Sequence, residues 1–167
     1  MYLRRFYFII LVYANLKMEY DTKDKTFWKR KGKDMKVLLG AVNAKYIHSN
    51  LAVYCLKAYA EKYGDTSDEI SIGEYTINQQ LDEILRDIYK RKPDMLCLSC
   101  YIWNLAYVKE LIEELKKLCP NTPIWVGGPE VSYEVETLLA ENPGIDGVFI
   151  GEGEHTFKKV CRCYIET

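Results

Sequence analysis

The chain has 167 residues, 49% of them hydrophobic and 28% charged, which excludes a disordered or collagen-like polymer, a multi-spanning membrane protein and a large multidomain enzyme. The formal charge of −1 averages unlike pieces: residues 1–34 hold nine Lys and Arg against four Asp and Glu, and the remainder holds 14 against 20. No strong basic excess on the acidic part calls for a nucleic-acid partner. Six cysteines, Cys55, Cys97, Cys100, Cys119, Cys161 and Cys163, mostly in apolar periodic segments, read as free buried thiols in a reducing cytoplasm. A chain of this length needs no disulfide staples to hold a core.

Residues 1–34 open on Arg4 and Arg5, followed by an apolar run from Phe6 to Ala14 and a Lys-rich stretch ending at Asp34. The run falls short of the roughly 20 residues that cross a bilayer, so no stable membrane span is expected. No small-residue cleavage site follows it. This leader reads as a basic extension, unstructured or misassigned, before a natural domain start at Met35; a secretion signal and a membrane- or partner-binding arm are the alternatives.

From Met35 the pattern alternates strands with amphipathic helices. The first strand, Lys36–Val42, is apolar on both faces, as a central parallel strand should be. The loop from Asn43 to Ser49 leads into a helix from about Asn50 to Tyr63, with Leu51, Cys55, Ala58 and Tyr59 at helical spacing and Gly64 suited to its C-terminal cap. A more polar strand, Glu69–Tyr75, reads as an edge. Leu81, Ile84, Leu85 and Ile88 mark a second helix that stops at Lys92 and Pro93. The third strand runs from Met95 to Cys100, and the helix after it is written by Leu105, Val108, Leu111, Ile112, Leu115 and Leu118. A short fourth strand, Ile124–Val126, meets Gly127, Gly128 and Pro129, with a helix over Val131–Ala140. The fifth strand, Gly147–Ile150, ends in Gly151-Glu152-Gly153-Glu154 before a last helix, and Cys161–Thr167 forms a ragged tail.

Five strand-then-helix units with short connections predict an α/β domain over residues 35–160: a doubly wound, flavodoxin-like or Rossmann-like five-stranded parallel sheet in the order 2-1-3-4-5, with helices on both faces. Ligands of such sheets bind beyond the carboxyl ends of the strands, near the switch between strands 1 and 3. Residues 43–49, 99–104 and 127–130 converge there, with 151–154 on the far side of the rim.

Several chemistries are weak at this rim. The dinucleotide fingerprint is absent after the first strand, and Glu152 and Glu154 would repel a phosphate at the last turn. A phosphoacceptor receiver needs an acidic cluster after strand 1 and an Asp after strand 3, where Asn43 and Ser99 stand. Cys97 and Cys100 are three apart along a strand, which sends them to opposite faces and disfavours a shared disulfide or zinc site. Cys161 and Cys163 have no second ligand pair. Ser99 ends its strand facing the crevice with a hydroxyl that both donates and accepts. Gly127 and Gly128 suit either a tight turn or close approach of a ligand to the backbone. His48, in the first rim loop, is a candidate metal ligand or a plain polar loop residue.

Taken together, Leu98-Ser99-Cys100-Tyr101, Val126-Gly127-Gly128-Pro129-Glu130-Val131-Ser132 and Gly151-Glu152-Gly153-Glu154-His155-Thr156-Phe157 resemble the cobalamin-binding domain at the N-terminus of cobalamin-dependent radical S-adenosylmethionine enzymes. The resemblance spans Met35 to Val160. It implies a corrinoid lying on the carboxyl edge of the sheet with its nucleotide tail in the crevice. Ser99, with Cys100 and Tyr101, would meet the tail; Gly127, Gly128 and Pro129 would line its channel; Gly151, Glu152 and Gly153 would flank it. Asn43, His48 and Ser49 would be contacts from the first loop. Gly128→Leu is then expected to block corrinoid uptake while leaving the fold intact.

The Asp-x-His-x-x-Gly motif of methionine-synthase-like domains reads here Tyr46-Ile47-His48-Ser49-Asn50-Leu51, which keeps the His and loses the Asp that would orient it. Cobalt ligation by His48 is thus a hypothesis. No Cys-x-x-x-Cys-x-x-Cys spacing occurs, so the iron–sulfur cluster and S-adenosylmethionine are expected in a catalytic domain elsewhere, missing or on a separate chain. The chain therefore reads as a binding module, truncated and non-catalytic alone. A flavodoxin-like carrier of flavin mononucleotide and a ligand-free interaction domain, using Tyr101 and Trp103, are the rival readings.

Overall fold

A computed structural model describes residues 35–46, 49–63 and 69–166. The 1–34 leader, His48 and Gly64 lie outside the described residues.

Five parallel strands are joined by helices: β1 (Lys36–Asn43), α1 (Leu51–Tyr63), β2 (Glu69–Thr76), α2 (Leu81–Arg91), β3 (Met95–Ser99), α3 (Leu105–Leu118), β4 (Ile124–Gly127), a 3-10 turn (Pro129–Val131), α4 (Val135–Glu141), β5 (Gly147–Phe149) and α5 (Gly153–Glu166). The sheet order is β2-β1-β3-β4-β5, as the strand pattern predicts. Alternation along each strand splits the core in two. Leu38, Val42, Leu96, Leu98, Val126 and Val148 face one way and pack on α2, α3 and α4 through Ile84, Ile88, Val108, Leu111, Leu115, Val135 and Leu139. Val37, Leu39, Ala41, Met95, Cys97, Trp125 and Phe149 face the other way and pack on α1 and α5 through Val53, Ala60, Phe157, Val160 and Cys161. Each such burial is worth about 1.5–3 kcal/mol per large apolar side chain. Trp125 needs the glycine beside it, because a Cβ on Gly147 would come within 2.6 Å of its ring. The indole N–H then donates to the Tyr164 hydroxyl at 3.0 Å.

Several elements differ from the sequence pattern. In α1 the core-facing residues are Val53 and Ala60, with Leu56 against them, whereas Leu51 and Ala58 are exposed. The helix expected over Val131–Ala140 is interrupted, because Glu134 adopts a left-handed backbone with φ 48° and the Ser132 hydroxyl donates to the Gly128 carbonyl at 2.8 Å. Strand β3 stops at Ser99, short of Cys100, and strand β5 stops at Phe149, short of Ile150. The ragged tail is the continuation of α5 through Glu166, with Phe157, Val160 and Cys161 buried at helical spacing. Among the described residues no helix is long and apolar enough to cross a membrane.

No disulfide joins any of the six cysteines. Cys97 and Cys100 lie in the two opposite core layers, as their spacing requires. Burial pushes the Cys97 thiol well above its ordinary value and the Cys100 thiol up to about 12. Both should resist alkylation by iodoacetamide at pH 8 in the folded chain and react fully in denaturant, read by mass spectrometry; the partly exposed Cys55, Cys119 and Cys163 should react before them.

Candidate functional site

At the carboxyl edge the strands end in step: Asn43 lies opposite Thr76, Ala41 opposite Ser99, Ser99 opposite Gly127, and Gly127 opposite Phe149. The chain leaves β1 for one face and β3 for the other, which opens a crevice between them.

Two asparagines close the floor of that crevice, and neither stands out in the sequence. Asn104, wholly buried, accepts the Tyr101 backbone N–H on Oδ1 at 2.7 Å. Its Nδ2 donates to the carbonyls of Val42 at 2.8 Å and Ser99 at 3.1 Å. Asn50, just before α1, accepts the Ala52 N–H on Oδ1 at 3.1 Å and donates through Nδ2 to Ser99 Oγ at 2.9 Å.

A carboxylate that the sequence pattern also leaves unmarked holds the first rim loop. Glu74, near the end of β2, accepts the Asn43 amide at 3.2 Å, the Asn50 backbone N–H at 3.1 Å and the Tyr54 hydroxyl at 2.7 Å. Ser49 bonds to it as well. Burial alone would raise this carboxyl, but the donors from Tyr54, Asn50, Asn43 and Ser49 outweigh it and hold it below its ordinary value. The same bond raises the Tyr54 hydroxyl.

Other expected site residues fall into place unevenly. Asn43, Ser49 and Ser99 line the crevice together. Cys100 does not: its side chain packs in the core, and only its backbone serves the rim, its N–H donating to Gly127 O at 2.7 Å. Gly127 belongs to β4, where a Cβ would sit 3.2 Å from Phe149 Cβ. Gly128 has φ 120°, and a Cβ there would come 2.3 Å from the Cys100 carbonyl oxygen. Its missing side chain is thus taken up by the chain's own backbone, and the expectation that Gly128→Leu spares the fold is overturned. Pro129 is exposed at the start of the 3-10 turn. Gly151, with φ 71°, has open space where a Cβ would go, Glu152 is exposed, and Gly153 starts α5 beside Leu56 of α1. Tyr101 is half-buried and stacks on Trp103, with ring centroids 4.5 Å apart and planes 9° from parallel. Among the described residues no group of three His, Cys, Asp or Glu is placed to hold a metal. The cobalt-ligand hypothesis rests on His48, outside the described residues.

The crevice is bordered by apolar side chains held out into solvent: Tyr46 (93% exposed) and Leu51 (73%) after β1, Ile102 (79%) and Trp103 (49%) after β3, and Tyr133 (79%) after β4. Water-exposed apolar groups gathered along one edge mark a binding surface.

Gly128→Ala should cost roughly 3 kcal/mol or more through overpacking and backbone strain, against about 1 kcal/mol for Gly151→Ala, read from urea denaturation. The Glu74 clasp carries an acid sensitivity. A carboxyl with a lowered folded pKa contributes stability above its ordinary value of 4.5, and that contribution is lost as pH falls through the lowered value. Glu74→Gln should flatten this part of the stability profile between pH 6 and pH 3, followed by denaturant midpoints.

A family model described as "B12 binding domain" matches residues 37–161. Over 69 residues the chain is 33% identical to the cobalamin-dependent radical SAM methyltransferase TokK of Streptomyces tokunonensis, covering 41% of this chain and 10% of that protein. The fold matches the cobalamin-dependent S-adenosylmethionine radical enzyme OxsB, solved with aqua-cobalamin and S-adenosylmethionine bound, at a TM-score of 0.66 and 18% identity, over 78% of this chain and 19% of that one. A cobalamin-binding protein from Desulfitobacterium hafniense DCB-2 matches at a TM-score of 0.58 and 17% identity, over 78% of this chain and 59% of that one. The chain thus spans a tenth of the length of TokK and about a fifth of OxsB. With its doubly wound sheet, its carboxyl-edge crevice and a family match over most of its length, the chain belongs to the B12-binding domain family, and its cofactor is cobalamin.

Proposed function

We propose that this domain holds cobalamin for a radical S-adenosylmethionine enzyme, as a binding module whose partner is the catalytic domain that carries the iron–sulfur cluster. The observation that carries the reading is the apolar border of Tyr46, Leu51, Ile102, Trp103 and Tyr133 around a polar-floored crevice. A corrin is a broad macrocycle with apolar faces, and a tail bearing amide, phosphate and base groups hangs from one side. The border suits the face and the crevice suits the tail.

Each part of the rim has a task in this reading. Ile102 and the stacked Tyr101–Trp103 pair exclude water from the corrin face, the pair being stiffened by its own ring contact. Ser99 offers a hydroxyl to the tail, and Asn43 and Ser49, clasped to Glu74, present the first loop. Gly127 and Gly128 allow the β3 and β4 exits to approach, which shapes one wall. Gly151 and Glu152 stand exposed at the far end. Bound cobalamin supplies a cobalt centre that accepts and gives up a methyl group. Flavin mononucleotide fits poorly, because Glu74 of β2 takes up the donors of the first rim loop that a phosphate would need and sets a carboxylate beside them.

The test adds hydroxocobalamin and flavin mononucleotide separately to the purified chain, removes free ligand by desalting and reads the visible spectrum. Corrinoid is expected to stay bound, and Ile102→Ser is expected to weaken it about tenfold, the equivalent of one lost apolar burial. Retention of flavin alone, or of neither ligand, would overturn the proposal.

A further inference from the structure

The orientation of the Asn50 amide is settled by its neighbours. The Ala52 backbone N–H can only donate, so the atom facing it at 3.1 Å is Oδ1. The atom 2.9 Å from Ser99 Oγ is therefore Nδ2, a donor. Ser99 must accept there, and its own proton is turned elsewhere. No described group takes that proton, although Ser99 is 91% buried at the strand end that floors the crevice. Asn50 cannot simply rotate to reverse this polarity. Its side chain caps α1, and its backbone N–H is tied to Glu74 at 3.1 Å, so a flip would set an NH2 group against the Ala52 N–H.

We propose that Asn50 is a positioning residue that fixes Ser99 as a hydrogen-bond donor into the crevice, so that the domain selects corrinoids whose tail presents an acceptor atom there. The inference rests on the reading that the cobalamin tail enters this crevice. It assigns a specificity: a tail base with an acceptor ring nitrogen is favoured over a phenolic base that has none. A neutral hydrogen bond made in a desolvated site is worth about tenfold in affinity.

The experiment measures the affinity of the full chain for hydroxocobalamin, whose benzimidazole base has the ring nitrogen, and for para-cresolylcobamide, whose phenolic base lacks it. The wild-type chain is expected to prefer hydroxocobalamin about tenfold. In Asn50→Asp the new carboxylate accepts both the Ala52 N–H and the Ser99 hydroxyl proton, which keeps the helix cap and turns Ser99 lone pairs toward the tail. The preference should fall to about one, as it should in Ser99→Ala. Asn50→Ser, which keeps a capping oxygen but is too short to reach Ser99, should lower the preference to a few fold and serves should the added charge unfold the aspartate variant, as judged by circular dichroism.

A merely structural defect would weaken both corrinoids alike and leave their ratio unchanged; that result overturns the proposal. So does a wild-type chain that binds both equally. A wild-type chain that binds neither would instead overturn the function on which the proposal stands.

Discussion

A parallel sheet in which neighbouring strands depart to opposite faces leaves backbone carbonyls at the point of divergence without strand partners, and in this chain Asn104 answers that need. One amide satisfies two carbonyls and one N–H from β1, β3 and the loop after β3. Because it is wholly buried, loss of that side chain would strand three polar groups in a dry site, at a cost of about 1–3 kcal/mol each. The crevice exists as a defined shape because this divergence is pinned. Ser99, Tyr101 and the start of α3 take their places from it.

Around this pin the rim is built mostly by polar side chains reaching across strand ends. Asn50 links β3 to the start of α1, and Glu74 gathers the first loop toward β2. On the other side the approach is purely backbone, with Gly128 against the Cys100 carbonyl. The crevice thus has one wall fixed by hydrogen bonds and another fixed by steric necessity. The apolar border projects above both.

The strand order and both core layers were legible because alternation and helical spacing encode burial directly. β1 and β3 read as apolar on both faces and β2 as an edge, and the sheet follows. The rim was legible by segment and not by role. Ser99, Gly127 and Gly128 were marked by position and resemblance, but nothing in the sequence says that the Gly128 side-chain space is filled by a carbonyl 28 residues upstream in chain order. Glu74, Asn50 and Asn104 were missed because a single Glu or Asn carries no periodicity. One available signal was that Asn50 and Asn104 each immediately precede a helix, at the place where capping side chains belong. The exposed face of α1 was misread because Leu51 looks like core and is instead part of the apolar border.

The two positive-φ glycines of the rim give their neighbourhoods unequal tolerance of substitution. Around Gly151, where a Cβ meets open space, Asn or Asp could replace glycine at small cost, since their short polar side chains tolerate that backbone. Drift at this turn is therefore cheap, and the far end of the rim is free to acquire new side chains toward whatever docks there. Gly128 allows no such exploration, because any side chain collides with main chain that no rotamer change can move aside. One end of the rim can be retuned by single substitutions, while the other can change only if two loops change together.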